Sequence, residues 1–243
     1  MTLTATKTVR AYAIETPQTI PVFEKLGIDF CCGGNRPLED ACAAANLNVD
    51  EVLKSLETTL AEPVRPSDRE ARAGSLAELI SHIVKTHHLY VRTQIPEIGK
   101  LLEKVYTKHG ENHSELAKIR GLFHGVGQEL MMHMMKEENI LFPYIERMEE
   151  SVVQHDPILP APFGTVANPV RMMEHEHDNA GAALKAMRDA SQGYTPPADA
   201  CTSFRALYTA LENFEKDLHQ HIHLENNVLF PRALQMETTQ QPA

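Results

Sequence analysis

The sequence has no tryptophan, only 6% aromatic residues, and no apolar run long enough to cross a bilayer. Basic residues are outnumbered: Lys and Arg total 23 against 33 Asp and Glu, for a net charge of −10. That balance argues against nucleic acid as a partner, since a phosphate backbone is held by clustered cations. Lys7, Arg10 and Glu15 interrupt the first turns, so no apolar leader is expected. Neither a membrane partner nor export is expected, and the expected compartment is the cytoplasm. Cysteines are few: Cys31, Cys32, Cys42 and Cys201. Their spacing is not a disulfide framework, and in a reducing compartment they would stay thiols. Cys42 and Cys201 fall on apolar faces and are expected in the core.

What is present favours helices. Apolar residues make up 42% of 243, enough for a substantial core, and Ala, Leu, Met, Glu and Lys are plentiful. The expected fold is all-α, a four-helix bundle preceded by a small helical domain. The break falls at residues 61–74, where two prolines and mixed charge have linker composition. Residues 1–60 form the small domain and 75–236 the bundle. Within the small domain, Thr16 and Pro17 open a helix running to Gly27, and Gly33-Gly34 make a turn. Pro37 opens a second helix, and Asn48 with Glu51 resembles a capping box for a third.

Four long amphipathic stripes follow. They run Leu76 to Val91, Ile119 to Leu141, Val170 to Met187, and Phe204 to Val228, each at three-and-four spacing. Loops rich in Pro and Gly separate them, as expected of an up-down bundle. Within the second and fourth stripes lies a repeat. The segment from His133 to Pro143 recurs from His221 to Pro231 at an offset of 88 residues, with six of eleven positions identical. Two helical hairpins related by a pseudo-twofold axis are therefore expected.

The repeat carries the chemistry. His133 and Glu137, and likewise His221 and Glu225, fall on the core-facing stripe of their helices, and His177 does so on the third. Residues four apart lie about 6 Å apart on one helix face, so a His and a Glu reach a shared site. Carboxylates and imidazoles persist in an apolar core only when paired or bound to metal. A mixed His and Glu set supplied twice fits two ions, with Glu137 and Glu225 as bridges and the histidines as terminal ligands. Iron is favoured, although manganese and zinc suit the same cage. Of the remaining histidines, His82, His109, His113, His124, His155, His175, His219 and His223 are expected at the surface or around the ligands. Glu129, read as lying on the core stripe four residues before His133, and Glu176, just before His177, are expected to bond ligands or line a path for ions or protons. In the first helix, periodicity places both His87 and His88 at the border of the core and does not choose between them.

With these residues placed, the chain resembles the iron–sulfur-cluster repair di-iron proteins, the RIC family of YtfE/ScdA type, over about residues 8 to 234. Asp29-Phe30-Cys31-Cys32-Gly33-Gly34 resembles that family's Cys-Cys-Gly-Gly signature. The two repeat segments and Met173 to Asp178 resemble its hemerythrin-like motifs. The resemblance implies a hemerythrin-like bundle holding two non-haem irons, with His88, His133, His177 and His221 as terminal ligands and Glu137 and Glu225 as bridges. An oxo or hydroxo bridge and an open position for NO or O2 would complete the irons. It further implies restoration of iron–sulfur proteins damaged by nitrosative or oxidative stress, by iron donation or NO chemistry. The alternative is a hemerythrin-like carrier or sensor of O2 or NO without turnover. Cys31 and Cys32 are either a redox or iron-transfer thiol pair, or small residues beside a glycine turn. No residue before the linker is needed to complete the cage, so a fragment starting near Gly74 is expected to fold and bind iron.

Overall fold

A computed structural model describes residues 3–60 and 74–240; the linker expected at 61–74 lies outside the described residues except for Gly74. Among the described residues, regular structure is helical apart from two isolated bridges, Thr8–Pro37 and Ala161–Gly164.

The small domain holds α1 (Val9–Glu15), α2 (Ile20–Leu26), α3 (Leu38–Ala44) and α4 (Val49–Leu60). Helix α1 was not expected from the sequence; Thr8 Oγ1 caps it by accepting from the Ala11 N–H at 3.1 Å. Helix α2 stops at Gly27, whose φ of 66° suits a residue without a Cβ. Asn48 Oδ1 accepts from the backbone of Asp50 and Glu51 and so opens α4.

The bundle has four rods. The first is α5 (Leu76–Ile83) and α6 (Leu89–His109), joined by a π turn over Val84–His88. The second is α7 (Glu115–Lys136) and α8 (Phe142–Gln154), joined by a π turn over Glu137–Leu141. The third is the uninterrupted α9 (Ala167–Ala190). The fourth is α10 (Thr202–Leu224) and α11 (Phe230–Gln240), joined by a π turn over Glu225–Leu229. Each rod packs against its two neighbours in the order one, two, three, four and back to one. A capping box of Ser75 and Glu78 opens the first rod. Glu149, from the second rod, adds a carboxylate that accepts from the N–H groups of Leu76 and Ala77 at 2.6 and 2.9 Å.

The π turns have a local cause in two rods. Pro143 and Pro231 have no N–H, and their rings would press on the carbonyl four residues earlier. Widening the turn by one residue relieves this: the N–H of Phe142 reaches the Glu137 carbonyl, and that of Phe230 reaches the Glu225 carbonyl. The first rod widens in the same way, Leu89 N–H to the Val84 carbonyl, without such a proline.

Two apolar cores lie along the bundle. One contains Ile83, Leu141, Met173 and Val228. The other contains Val91, Leu130, Ala180, Leu218 and Ile222, and it continues without a break into Tyr12, Phe23, Phe30 and Leu56 of the small domain. The small domain is thus packed into the bundle's own core. Residues 221–230 are buried without exception, because the bundle covers one side of the fourth rod and the small domain the other.

Candidate metal centre

Between the two cores lies a layer of buried polar side chains. His88, Glu137, His221 and Glu225 form one group, and His133, Glu137, His177 and Glu225 a second; within each, the ligand atoms lie within 4.8 Å of one another. The two groups share both carboxylates. The structure therefore brings together all six residues that the sequence and the resemblance named. Between His87 and His88 the geometry is clear: His88 enters the cluster, while His87 turns away to hold Asp217 Oδ1 at 3.0 Å.

All four imidazoles present Nε2 inward. His88 Nε2 lies 3.1 Å from His221 Nε2, and His177 Nε2 lies 2.9 Å from His133 Nε2. Carboxylate oxygens stand close by: Glu137 Oε2 is 3.4 Å from His88 Nε2 and 3.3 Å from His133 Nε2. Glu225 Oε1 is 2.9 Å from His221 Nε2, and its Oε2 is 3.1 Å from His177 Nε2. On the outer side, Nδ1 of His88 contacts Glu138 Oε1 at 2.6 Å, that of His133 contacts Glu176 Oε2 at 2.8 Å, and that of His177 contacts Asn226 Oδ1 at 2.8 Å. Carboxylate and amide oxygens only accept, so these three Nδ1 atoms carry the protons. The Nε2 atoms of His133 and His177 then face each other in a buried space and are the nitrogens left for a cation. Both oxygens of Glu137 are buried without a hydrogen bond. Such a donor set is costly alone and satisfied by cations, one per group, so the residues fit a pair of metal ions.

The electrostatics agree. Burial alone would strip the proton from His88, but the close carboxylates of Glu137 and Glu225 outweigh it and push its pKa up to about 10. His133 behaves likewise, to about 9, with Glu137 as the main counterweight to burial. For His221 burial dominates and lowers the pKa. Burial opposes ionisation of Glu137 and Glu225, yet the surrounding imidazoles hold both below the usual carboxylate range, Glu225 well below. Metal-free protein therefore carries protons at neutral pH on nitrogens that a metal must displace. Uptake at pH 7 should release protons, and apparent affinity should rise with pH towards 9 to 10. Buffer-dependent titration calorimetry measures this. The same raised values stabilise the metal-free fold fully below pH 6.5, and that contribution is lost as pH rises through about 9 to 10. The melting temperature of metal-free protein should fall across that window, and that of loaded protein should fall less.

Sequence reasoning missed Glu138, Asn226 and Asp217. A usable signal existed for the first two: each directly follows a repeated Glu, and both are polar. Three expectations need correction. Glu129 is exposed, because it lies about 90° around α7 from the centre of the buried face, so it neither bonds a ligand nor lines the cluster. Cys201 is also exposed, at the N-cap of α10, with Sγ 3.2 Å from His109 Nε2, whereas Cys42 lies in the core as expected. His223 is fully buried but belongs to neither metal group; its ring meets the edge of Phe30 at 5.6 Å. Glu176, in contrast, sits where expected and also pairs with Lys136.

The Cys31–Cys32 pair lines a cleft of about 790 Å³ whose far wall includes Asp178, Gly181 and Lys185 of α9. Asp29 Oδ1 accepts from the N–H groups of Cys31 and Cys32, each at 3.0 Å, and its Oδ2 from that of Gly33 at 2.9 Å. A Cβ on Gly34 would lie 2.6 Å from the Phe30 carbonyl oxygen, so the turn requires glycine there. The two sulfurs are 3.9 Å apart and unbridged. The hydrogen bond to Cys32, burial and the nearby Asp29 charge push the Cys31 thiol well up, so it stays protonated at neutral pH.

His88→Ala should leave one of the two groups with a single terminal imidazole, His221, and reduce bound iron. His87→Ala should still bind two ions when iron is in excess. Metal analysis of the two variants checks the register.

An all-helical bundle whose core holds two cation cages joined by shared carboxylates defines a carboxylate-bridged two-metal protein. Residues 79–233 match the family model for the hemerythrin HHE cation binding domain, and residues 5–60 match ScdA_N, a domain of unknown function. Over 226 residues the chain is 38% identical to the iron–sulfur cluster repair protein YtfE of Pectobacterium carotovorum, covering 93% of this chain and 95% of that one. It is 37% identical over 222 residues to a probable iron–sulfur cluster repair protein of Haemophilus influenzae, covering 91% and 94%. Against the YtfE of Dickeya chrysanthemi it is 39% identical over 228 residues, covering 93% and 95%. The chain belongs to the hemerythrin HHE cation-binding family and, within it, to the YtfE-type iron–sulfur cluster repair group. No described helix is long and apolar enough to cross a membrane.

Proposed function

We propose that this chain repairs iron–sulfur clusters damaged by oxidative or nitrosative stress, by giving up iron held at a non-haem di-iron site. His88, His133, His177 and His221 are the terminal ligands in this reading, and Glu137 and Glu225 the bridges. Damaged iron–sulfur proteins are the partners, NO or O2 the small ligands, and the cytoplasm the compartment. Residues 75–236 form the iron-holding domain and 1–60 an accessory one.

One observation carries the reading: the clustered donors are all nitrogen and oxygen, with no sulfur among them. Thiolate sites of clusters hold iron through softer, stronger donors, so iron moves downhill from this cage to a depleted cluster. The bound irons would supply Lewis acidity and one-electron redox chemistry. The chain's residues orient the imidazoles and exclude water. Glu138 and Glu176 fix the Nδ1 protons of His88 and His133; both carboxylates are partly exposed and paired with cations, Arg92 and Lys136.

The test loads the protein anaerobically with ⁵⁷Fe and mixes it with a [4Fe–4S] enzyme inactivated by peroxide. Recovered activity with ⁵⁷Fe in the client cluster is expected. A client that stays inactive, as it would beside a simple O2 or NO carrier, overturns the reading.

A further inference from the structure

The pseudo-twofold repeat gives every ligand a counterpart, and the surroundings of those counterparts differ. The second and fourth rods are related by an offset of 88 residues, the first and third by 89 (His88 to His177). At positions 138 and 226 the relation holds: Glu138 bonds His88 Nδ1 at 2.6 Å, and Asn226 bonds His177 Nδ1 at 2.8 Å. At positions 87 and 176 it breaks. Glu176 bonds His133 Nδ1 at 2.8 Å. Its counterpart is His87, whose ring instead stacks on His221, with centroids 5.8 Å apart and planes 6° from parallel, while its Nδ1 faces Asp217. His221 Nδ1 is buried with no hydrogen-bond partner.

Each cage thus has one imidazole backed by a carboxylate, and the difference lies in the other. In the cage of His133 and His177, the second imidazole is fixed by Asn226. In the cage of His88 and His221, no hydrogen-bond partner holds His221 from its outer Nδ1 side; only the stacked ring of His87 lies against it. An outer partner sets the tautomer, aims the lone pair and raises ligand basicity, and its loss costs about 10–100-fold in metal affinity.

We infer that the two iron positions are inequivalent by construction: the ion between His88 and His221 is released first, and the ion between His133 and His177 is retained. The inference rests on the cage assignment proposed above. Asn226 and His87 are positioning residues, acting through His177 and His221.

Full-length protein loaded with two ⁵⁷Fe is challenged anaerobically with excess chelator, and release is followed by absorbance and Mössbauer spectra. Two phases of one iron each are expected, and the half-depleted protein should keep a single quadrupole doublet. Asn226→Leu should speed the slow phase about 10–100-fold and leave the fast phase unchanged. His87→Glu combined with Asp217→Asn, which offers His221 a carboxylate and relieves its repulsion from Asp217, should slow the fast phase. Should that double variant fail to fold, Asn226→Leu decides alone. Two irons leaving together, or Asn226→Leu acting only on the fast phase, overturns the inference and leaves the proposed function standing. A chain that takes up no iron overturns the cage assignment and the inference with it.

Discussion

Glu137→Ala and Glu225→Ala should each be isolated with far less than one iron per chain, although each removes a single side chain. Both carboxylates belong to both cages, so either substitution withdraws an anionic donor from each ion at once. A terminal ligand such as His88 belongs to one cage only, and its loss should be milder. The metal-free variants should also be destabilised. Removing Glu137 leaves His88 and His133, which it helps to keep charged, facing a weaker counter-charge in a buried layer. Breaking a buried pair in this way costs about 3–5 kcal/mol. Elemental analysis and urea unfolding measure the two effects. Two irons retained in both variants would refute the bridging assignment.

Phe30→Ala should lower stability by about 3–5 kcal/mol, as for a large aromatic truncated in a tight core. The loss should appear as one cooperative transition of the whole chain. Phe30 is 1% exposed, meets the rings of His219 and His223, and its carbonyl accepts from Asn227 Nδ2 at 3.0 Å. Asn227 lies in the same π turn as Glu225, so the small domain is tied to a turn that also supplies a bridging carboxylate. This qualifies the expectation of a separable fragment. A chain starting at Gly74 retains every clustered residue, but it uncovers the outer side of the stretch 221–230. It should bind iron and melt well below the full chain. Differential scanning calorimetry distinguishes one transition from two.

The four rods were legible because their apolar stripes are long and regular, four of the six clustered residues because polar groups interrupt those stripes at repeated positions, and His177 because it falls on the stripe of the third rod. His88 was legible only through resemblance, since adjacent histidines both border the core and periodicity does not separate them. The π turns were not legible. Period counting assumes 3.6 residues per turn, and each wide turn shifts the phase locally; Pro143 and Pro231 were the available clue. Glu129 was misplaced because four-residue spacing from a buried residue does not fix which side of the stripe a position takes. His223 was misjudged for another reason: a helix pattern reports one partner, and the fourth rod has two. Cys201 opens a helix, where an apolar neighbourhood in sequence does not translate into burial.

Each wide turn also constrains how this gene tolerates insertions and deletions. Helix α8 buries Phe142, Tyr144, Ile145 and Met148, and that set faces inward only because Glu137–Leu141 takes up one residue more than an α-turn would. Deleting a single codon within Glu137–Leu141 removes that extra residue and lets an ordinary helix keep α8 facing inward, whereas straightening the turn at full length swings α8 by about 100°. Its apolar residues would then turn from the core towards water. Side chains that never approach the cluster are written in a reading phase that presupposes the distorted turn beside it, so the irregularity and the far half of the bundle are inherited together.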